Sequence, residues 1–249
     1  MQRLWPAATP YPLTEAELVE TYAPRDRAQP WLRVNFVSSA DGAVALDGRS
    51  AGLSSGADKR VFGILRMHCD VLLVGAGTVR DESYGPLQVD PRRRAWRRDA
   101  GLAEWPTLAV VSGRLGITPE HPALAEAPVR PIVITHQRSP VDRREALTAV
   151  ADVVTVGESE VDLPAARRAL ADRGLRQVLC EGGPHLLAAL LAADQVDELC
   201  LTISPLLTGP GEGRIVAGPA TPPRRLRLAG AIEADGNLVL RYTRTTESD

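Results

Sequence analysis

Two glycine-bearing segments carry the chemistry most readily read from this chain. Residues 71–79 read Val-Leu-Leu-Val-Gly-Ala-Gly-Thr-Val, and residues 178–187 read Val-Leu-Cys-Glu-Gly-Gly-Pro-His-Leu-Leu. Each is an apolar run of strand character that breaks into glycine. Glycine clears the approach path and lets bare backbone amides meet an anion. In the second segment, Pro184 suits the first turn of a helix, whose N-terminus carries partial positive charge. Two such edges in one chain point to a phosphate-bearing ligand, a dinucleotide foremost. Each spacing also serves a plain tight turn or loop–helix junction. Gly75, Gly77, Gly182 and Gly183 are thus candidate cofactor contacts, with Thr78 offering a hydroxyl. Glu181 is an awkward neighbour for an anion and is expected to point toward a substrate or a helix amide. A Rossmann fingerprint needs glycine where Arg80 stands and an acidic strand end further on. Neither is present, which argues against a standard Rossmann domain.

Other chemistries find little support. Ser38-Ser39-Ala40-Asp41-Gly42 follows a strand directly, and Asp41 can cap, turn or bind a ligand. The four histidines are scattered, and no Cys-x-x-Cys or His-Glu-x-x-His occurs, so no metal site is expected. No Gly-x-Ser-x-Gly elbow supplies a hydrolase nucleophile. The net charge of −2 gives no overall basic field for nucleic acid or anionic lipid. Nearly all positive charge is arginine, since Lys59 is the sole lysine. The cysteines, Cys69, Cys180 and Cys200, are odd in number and apolar in setting. They suggest a reducing compartment without a disulfide framework. The N-terminus shows no signal pattern and no run approaches membrane-spanning length, so a cytoplasmic location is expected.

The elements that must position these residues follow from periodicity. Strand-like runs occupy residues 32–37, 71–74, 107–111, 131–135, 152–156, 177–180 and 198–203. Helical patterns lie between several of them. Residues 56–68 place Val61, Leu65 and His68 on one face, and 163–173 and 184–193 also read as helices. Alternation of this kind predicts an α/β sheet covered on both faces. At the end, 226–232 and 237–242 alternate around Asp235-Gly236, a hairpin dipeptide, which predicts an antiparallel edge. The first thirty residues are proline-rich. They read as an arm with one helix, N-capped by Thr14 with Glu17 completing a capping box. The arginine run at 91–98 reads as an exposed loop, and residues 75–80 as a strand-end turn.

Taken in order, these pieces resemble a known family. They look like the reductase domain of bacterial RibD, the pyrimidine reductase of riboflavin biosynthesis, which has a dihydrofolate-reductase-like fold. The matching residues are Ser39-Ala40-Asp41-Gly42, Leu53-Ser54, Leu65-Arg66, the run 70–79, Glu181-Gly182-Gly183-Pro184, and 196–199 continuing to Ile203-Ser204-Pro205. The resemblance runs from about Leu32 to Tyr242. It implies an arm at 1–30 and a reductase domain at 31–249. It implies a three-layer α/β/α fold, with a mostly parallel mixed sheet and a C-terminal antiparallel hairpin. It implies NADPH against Gly52, Thr78, Glu82 and Ser112, with its pyrophosphate on Gly183, Pro184, His185, Leu186 and Leu187. Substrate would touch Asn35, Ser39, Ser50, Arg66 and Glu181. A stand-alone homodimer without metal or flavin is implied. Asp41 and Glu181 are the candidates for supplying a proton, with Asp41 favoured for its place at a strand end beside Ser39.

Two departures bear on the substrate. Asn35 stands where the family usually has lysine, and Val89 where an arginine would pair with a substrate phosphate. Arg92–Arg94 is the candidate replacement clamp. Arg114 and Arg138 are candidates for the 2′-phosphate of NADPH. The leading expectation is reduction of 5-amino-6-(5-phosphoribosylamino)uracil to its ribityl form with NADPH. The alternatives are a paralogue reducing dihydrofolate or another pterin, and a non-catalytic NADPH-binding protein.

Overall fold

The computed structural model describes residues 1–211 and 213–245. Strand β1 (Gln2–Trp5) and helix α1 (Glu15–Thr21) come first, then β2 (Trp31–Ser39), a short 3-10 turn (Ser50–Gly52) and α2 (Gly56–His68). Next are β3 (Val71–Gly75), α3 (Ala76–Asp81), α4 (Pro91–Asp99), β4 (Thr107–Val111), α5 (Pro122–Ala125), β5 (Ile132–Thr135), α6 (Val141–Leu147) and β6 (Asp152–Thr155). The chain then returns through α7 (Leu163–Ala171), β7 (Gln177–Cys180), α8 (Pro184–Ala192) and β8 (Glu198–Ser204). It closes on the hairpin β9 (Leu226–Ala234) and β10 (Asn237–Arg244).

The ten strands form one sheet in the order β1-β9-β10-β8-β2-β7-β3-β4-β5-β6. From β8 to β6 every neighbour is parallel, whereas β10 joins β8, and β9 and β1 follow, antiparallel. Alternation along the strands sorts their side chains onto two faces. Leu72, Val74, Leu108, Val110 and Val133 pack with Leu18 of α1, Ile64 of α2 and Leu147 of α6. Val71, Leu73, Ala109, Ile132 and Ile134 pack instead with Leu163 and Leu170 of α7 and Leu187 and Leu190 of α8. The architecture is the expected three-layer one, and the hairpin turns where expected, with Asp235 at φ 52° and Gly236 at φ 79°. Among the described residues no helix is long and apolar enough to cross a membrane, and all three cysteines are free and buried.

Three segments differ from their sequence reading. The first thirty residues include the helix with its capping box, Thr14 and Glu17 bonding reciprocally. They also add β1, whose pairing with β9 is a tertiary choice that a four-residue strand does not announce. Residues 76–81 continue past the glycines as α3. The arginine run at 91–98 is not an exposed loop but helix α4. Asp90 caps it, accepting from Arg93 N at 3.0 Å, and Pro91 opens it. The reason is Arg97, which is buried and donates to the carbonyls of Met67 (2.8 Å), Cys69 (2.7 Å) and Ala103 (2.8 Å). Its guanidinium satisfies carbonyls that α2 leaves unpaired at its C-terminus.

Candidate active site

Strand β7 ends at Cys180, which faces Val34 of β2 on one side and Leu73 of β3 on the other, while both neighbours run on past it. The chain order reverses here, since β3 leads outward to β6 while β7 returns between β2 and β3. That is where open α/β sheets place their ligands. Beyond Cys180 the backbone stays tied to β3. Glu181 N donates to Leu73 O at 3.0 Å, and Gly75 N donates to Gly182 O at 2.8 Å. The two glycine edges therefore form one wall. The Gly182–Gly183 peptide is cis, and Gly182 lies at φ 93°. A side chain at Gly182 would press on the Phe36 ring at 3.0 Å, and one at Gly183 would collide with the Thr78 hydroxyl. Close approach of neighbours, as well as backbone angle, demands glycine here.

Above this wall lies a cavity of about 620 Å³, well within the size range of small-molecule sites. Its floor carries a buried ion pair. Arg66 Nε and Nη2 donate to Glu181 Oε1 and Oε2, both at 2.7 Å, and Tyr84 Oη donates to Oε2 at 2.7 Å. The Arg66 guanidinium also stacks on Phe62, 4.3 Å from the ring centre. Burial pushes the Arg66 pKa down, but the charge and hydrogen bonds of Glu181 outweigh it and hold it above the usual value. Burial, then the Glu181 charge, pushes the Tyr84 phenol well above its ordinary value.

A carboxylate offers about four acceptor sites. Three of those on Glu181 are taken by Arg66 and Tyr84, leaving one on Oε1. Arg66 has five N–H donors and spends two on Glu181. The floor thus presents one acceptor beside spare donors, a pattern complementary to the amide edge of a heterocycle.

Of the expected site residues, the cavity gathers Asn35, Ser50, Arg66, Thr78, Glu82, Glu181, Gly183 and Pro184 in its lining. Glu82 Oε1 accepts from Ser50 N at 3.0 Å, tying α3 to the 3-10 turn. The remainder lie outside the lining. Gly52 ends that turn, where a side chain would meet Leu46 at 3.0 Å. Gly75 and Gly77 belong to the β3–α3 junction behind the wall. Ser112 is buried after β4, its N–H donating to Ile134 O at 2.9 Å. His185, Leu186 and Leu187 form the first turn of α8.

Ser39 and Asp41 make a different construction. Ser39 is buried and donates to the Asp41 carboxylate, which also accepts from Thr208 N at 3.1 Å and Gly209 N at 2.9 Å. These bonds, the Ser39 hydroxyl first, lower its pKa to about 2. Asp41 is thus a clasp on the loop after β8, with a pKa moved opposite to that of a proton donor.

The arginines expected near phosphates are otherwise engaged. Arg93 pairs with Asp90 at 3.2 Å and Arg94 with Glu104 at 2.8 Å, while Arg138 pairs with Glu158 at 2.6 Å. Neither these nor Arg92 and Arg114 line the cavity. Sequence reasoning missed Tyr84, Phe62 and Lys59, all of which do. For Phe62 and Lys59 a signal existed: with Arg66 they sit at i, i+3 and i+7 on one face of α2.

Fold and site together define an α/β protein with a cavity at the carboxyl ends of parallel strands, beside a glycine-edged helix N-terminus. The chain belongs to the RibD C-terminal domain family, whose model matches residues 30–240, and it is an oxidoreductase of that family. It is 28% identical over 220 residues to a 2,5-diamino-6-ribosylamino-4(3H)-pyrimidinone 5′-phosphate reductase of Methanothermobacter thermautotrophicus, covering 86% of this chain and 98% of the relative. It is 30% identical over 181 residues to the riboflavin biosynthesis protein RibD of Mycobacterium tuberculosis, covering 72% of this chain and 43% of that one. Among solved structures it superposes on a pyrimidine reductase-like protein of Corynebacterium diphtheriae. The TM-score is 0.82 at 26% identity, covering 94% of this chain and all of the other.

A reductase of this family implies a nicotinamide cofactor, and the residues present fit one. The N-cap of α8 is Gly183, which makes no side-chain cap, so the first amides of that helix are unclaimed by any side chain. The absent side chain at Gly183 keeps the approach to them open.

Proposed function

We propose that this chain is an NADPH-dependent reductase of riboflavin biosynthesis. It reduces the ribosyl group of 5-amino-6-(5-phosphoribosylamino)uracil to ribityl. The observation that carries this reading is the joining, in one cavity, of the Arg66–Glu181–Tyr84 floor with the uncapped first turn of α8. The Methanothermobacter relative, spanned almost completely, is named for a phosphoribosyl pyrimidine of the same kind.

Gly183, Pro184, His185 and Leu186 would hold the cofactor pyrophosphate, with Thr78 and Glu82 beside it. Bound there, NADPH would supply a hydride for C1′ of the ring-opened substrate, whose C1′=N double bond takes hydride at carbon and a proton at nitrogen. The chain's own work is placement. Glu181 Oε1 accepts an N–H of the pyrimidine, and the spare donors of Arg66 meet its carbonyl. Phe36, Phe62 and Leu87 give the cavity apolar walls that exclude water once it is filled. The balancing proton reaches the substrate nitrogen within this cavity. Glu181, with the Tyr84 hydroxyl on its Oε2, stands there, whereas Asp41 is outside the lining and committed to its loop. Homodimerisation and a cytoplasmic site of action belong to the same proposal, the first resting on family resemblance and the second on the cysteine usage and the hydropathy pattern.

The test is loss of NADPH absorbance with the purified protein. It is run on the phosphoribosylaminouracil, on its 2-amino counterpart and on dihydrofolate, with NADH as a parallel cofactor. Turnover of a phosphoribosyl pyrimidine with NADPH, and none of dihydrofolate, is the expected result. Turnover of dihydrofolate alone would assign the cavity to a pterin. Tight NADPH binding without turnover of any of the three would make the protein a nucleotide-binding one.

A further inference from the structure

The lining of the cavity carries four carboxylates, Asp58, Asp81, Glu82 and Glu181, against two cations, Lys59 and Arg66. A dianionic phosphate entering such a site needs a positive group that is not already neutralised. Arg66 is spent on Glu181. Arg93, which lies over Gly63 of α2, pairs with Asp90, and Arg94 pairs with Glu104; neither lines the cavity. Val89 is buried and uncharged, and Asn35 is neutral. Lys59 remains. Among the described residues its ammonium has no ion pair or hydrogen bond, and its side chain is exposed at the cavity mouth. Its acidic neighbour makes no ion pair with it, and Asp58 Oδ2 accepts instead from Ser54 Oγ at 2.5 Å.

Placement agrees with charge. Lys59 and Arg66 lie on one face of α2, seven residues apart, which at 1.5 Å per residue is about 10 Å along the axis. A pyrimidine seated on Arg66 and Glu181 would carry its open five-carbon chain toward the mouth, and the terminal phosphate over a span of that order. The cofactor pyrophosphate has its own receptor, the first turn of α8, a different element from α2. We infer that Lys59 is the anchor for the phosphate of the substrate and sets the preference for phosphorylated over dephosphorylated pyrimidine. This rests on the pyrimidine reductase reading.

The test compares the phosphorylated and dephosphorylated pyrimidine with wild type, Lys59→Met and Lys59→Arg. Loss of a charge-assisted contact is expected to raise the KM for the phosphorylated substrate about ten- to hundredfold. The Lys59→Met protein should lose its preference for the phosphate, with the KM for NADPH unchanged, and Lys59→Arg should restore most of it. The sole lysine gives a second readout, independent of turnover. Reductive methylation followed by peptide mass spectrometry reports on one side-chain amine, and the phosphorylated ribityl product should protect it where NADPH does not. A preference retained in Lys59→Met, or a rise confined to the KM for NADPH, overturns the inference and leaves the proposed activity standing. Wild-type protein inert toward both pyrimidines overturns the activity and the inference together.

Discussion

Two buried glutamates, one strand apart in the sheet, are built alike and used differently. Glu181 follows β7, and Glu198 opens β8 on the other side of β2. Each is nearly sealed from solvent and held by an arginine. Glu198 Oε2 accepts from Arg33 Nη2 at 3.0 Å and from Trp31 Nε1 at 2.9 Å. Its Oε1 lies 3.0 Å from Arg33 Nε and 3.6 Å from Arg241 Nε, and Cys200 Sγ donates to it at 3.7 Å. Protein groups surround Glu198 completely. Glu181 keeps one acceptor site on Oε1, and that site faces a cavity. The position of each on its strand makes the difference. Glu198 lies at the amino end of a parallel strand, beneath α1 and the hairpin. Glu181 lies just past a carboxyl end, where the sheet stops covering it. One ion pair holds strands together, and the other holds a surface ready for a ligand.

The sharpest way to break the comparison is to neutralise both. Glu198→Gln leaves buried Arg33 and half-buried Arg241 without their shared counter-charge, and removing one partner of a buried pair costs about 3–5 kcal/mol. Urea unfolding should show that loss, with the activity of the remaining folded protein near wild type. A Glu198→Gln protein that is stable but inactive would reverse the assignment.

Acid should probe the same closed region next. His68, at the end of α2, is buried edge-on to Trp96, its Nε2 2.9 Å from Val19 O. Burial, with Arg33, Arg27 and Arg97 around it, lowers its pKa to about 4. The unfolded chain therefore binds this proton at higher pH than the native one. The stability His68 contributes is complete above about pH 6.5 and is lost as pH falls toward 4, amounting to about 3 kcal/mol. His68→Gln should flatten the dependence of unfolding free energy on pH in that window. A slope unchanged by this substitution would place the acid sensitivity elsewhere.

Glu181→Gln is the counterpart within the cavity. It keeps shape and most bonding but removes the charge that Arg66 and the substrate share. Hydrogen bonds to charged groups are worth about 1.5–3 kcal/mol, or ten- to hundredfold in kcat/KM. The expected signature is inverse to that of Glu198→Gln, with catalysis lost and most stability kept.

Sequence reading recovered this molecule where local signals and tertiary structure agree. The strands from β2 to β8, the hairpin turn at Asp235-Gly236 and the capping box at Thr14 are all stated by nearby residues. It failed where a distant partner decides. Strand β1 exists because β9 offers an edge. Helix α4 carries five arginines that read as a solvated loop until Arg97 is seen capping α2. The cavity followed the same rule. Glycines, Arg66 and Glu181 were legible through spacing and family resemblance. Asp41 looked reactive at its strand end because nothing nearby reveals Thr208 and Gly209, which occupy its carboxylate. Tyr84 was silent, since a lone tyrosine after a short helix has no periodicity to betray it.

That tyrosine offers the smallest and most discriminating test. Its hydroxyl donates to Glu181 Oε2, the oxygen that faces Arg66 Nη2 rather than the open acceptor site. Tyr84→Phe removes one neutral donor to a charged acceptor and keeps the ring in its place. If the hydroxyl only steadies the carboxylate, which Arg66 still holds through both oxygens, kcat/KM should fall less than about tenfold, below the direct loss of a bond to a charged group. Its pH profile would keep its shape. If the hydroxyl feeds a proton through Glu181, the loss should appear in kcat alone and the alkaline limb of the profile should move. Glu198 has no such tyrosine hydroxyl on its carboxylate, so this dependence belongs to the open pair and not to buried pairs in general.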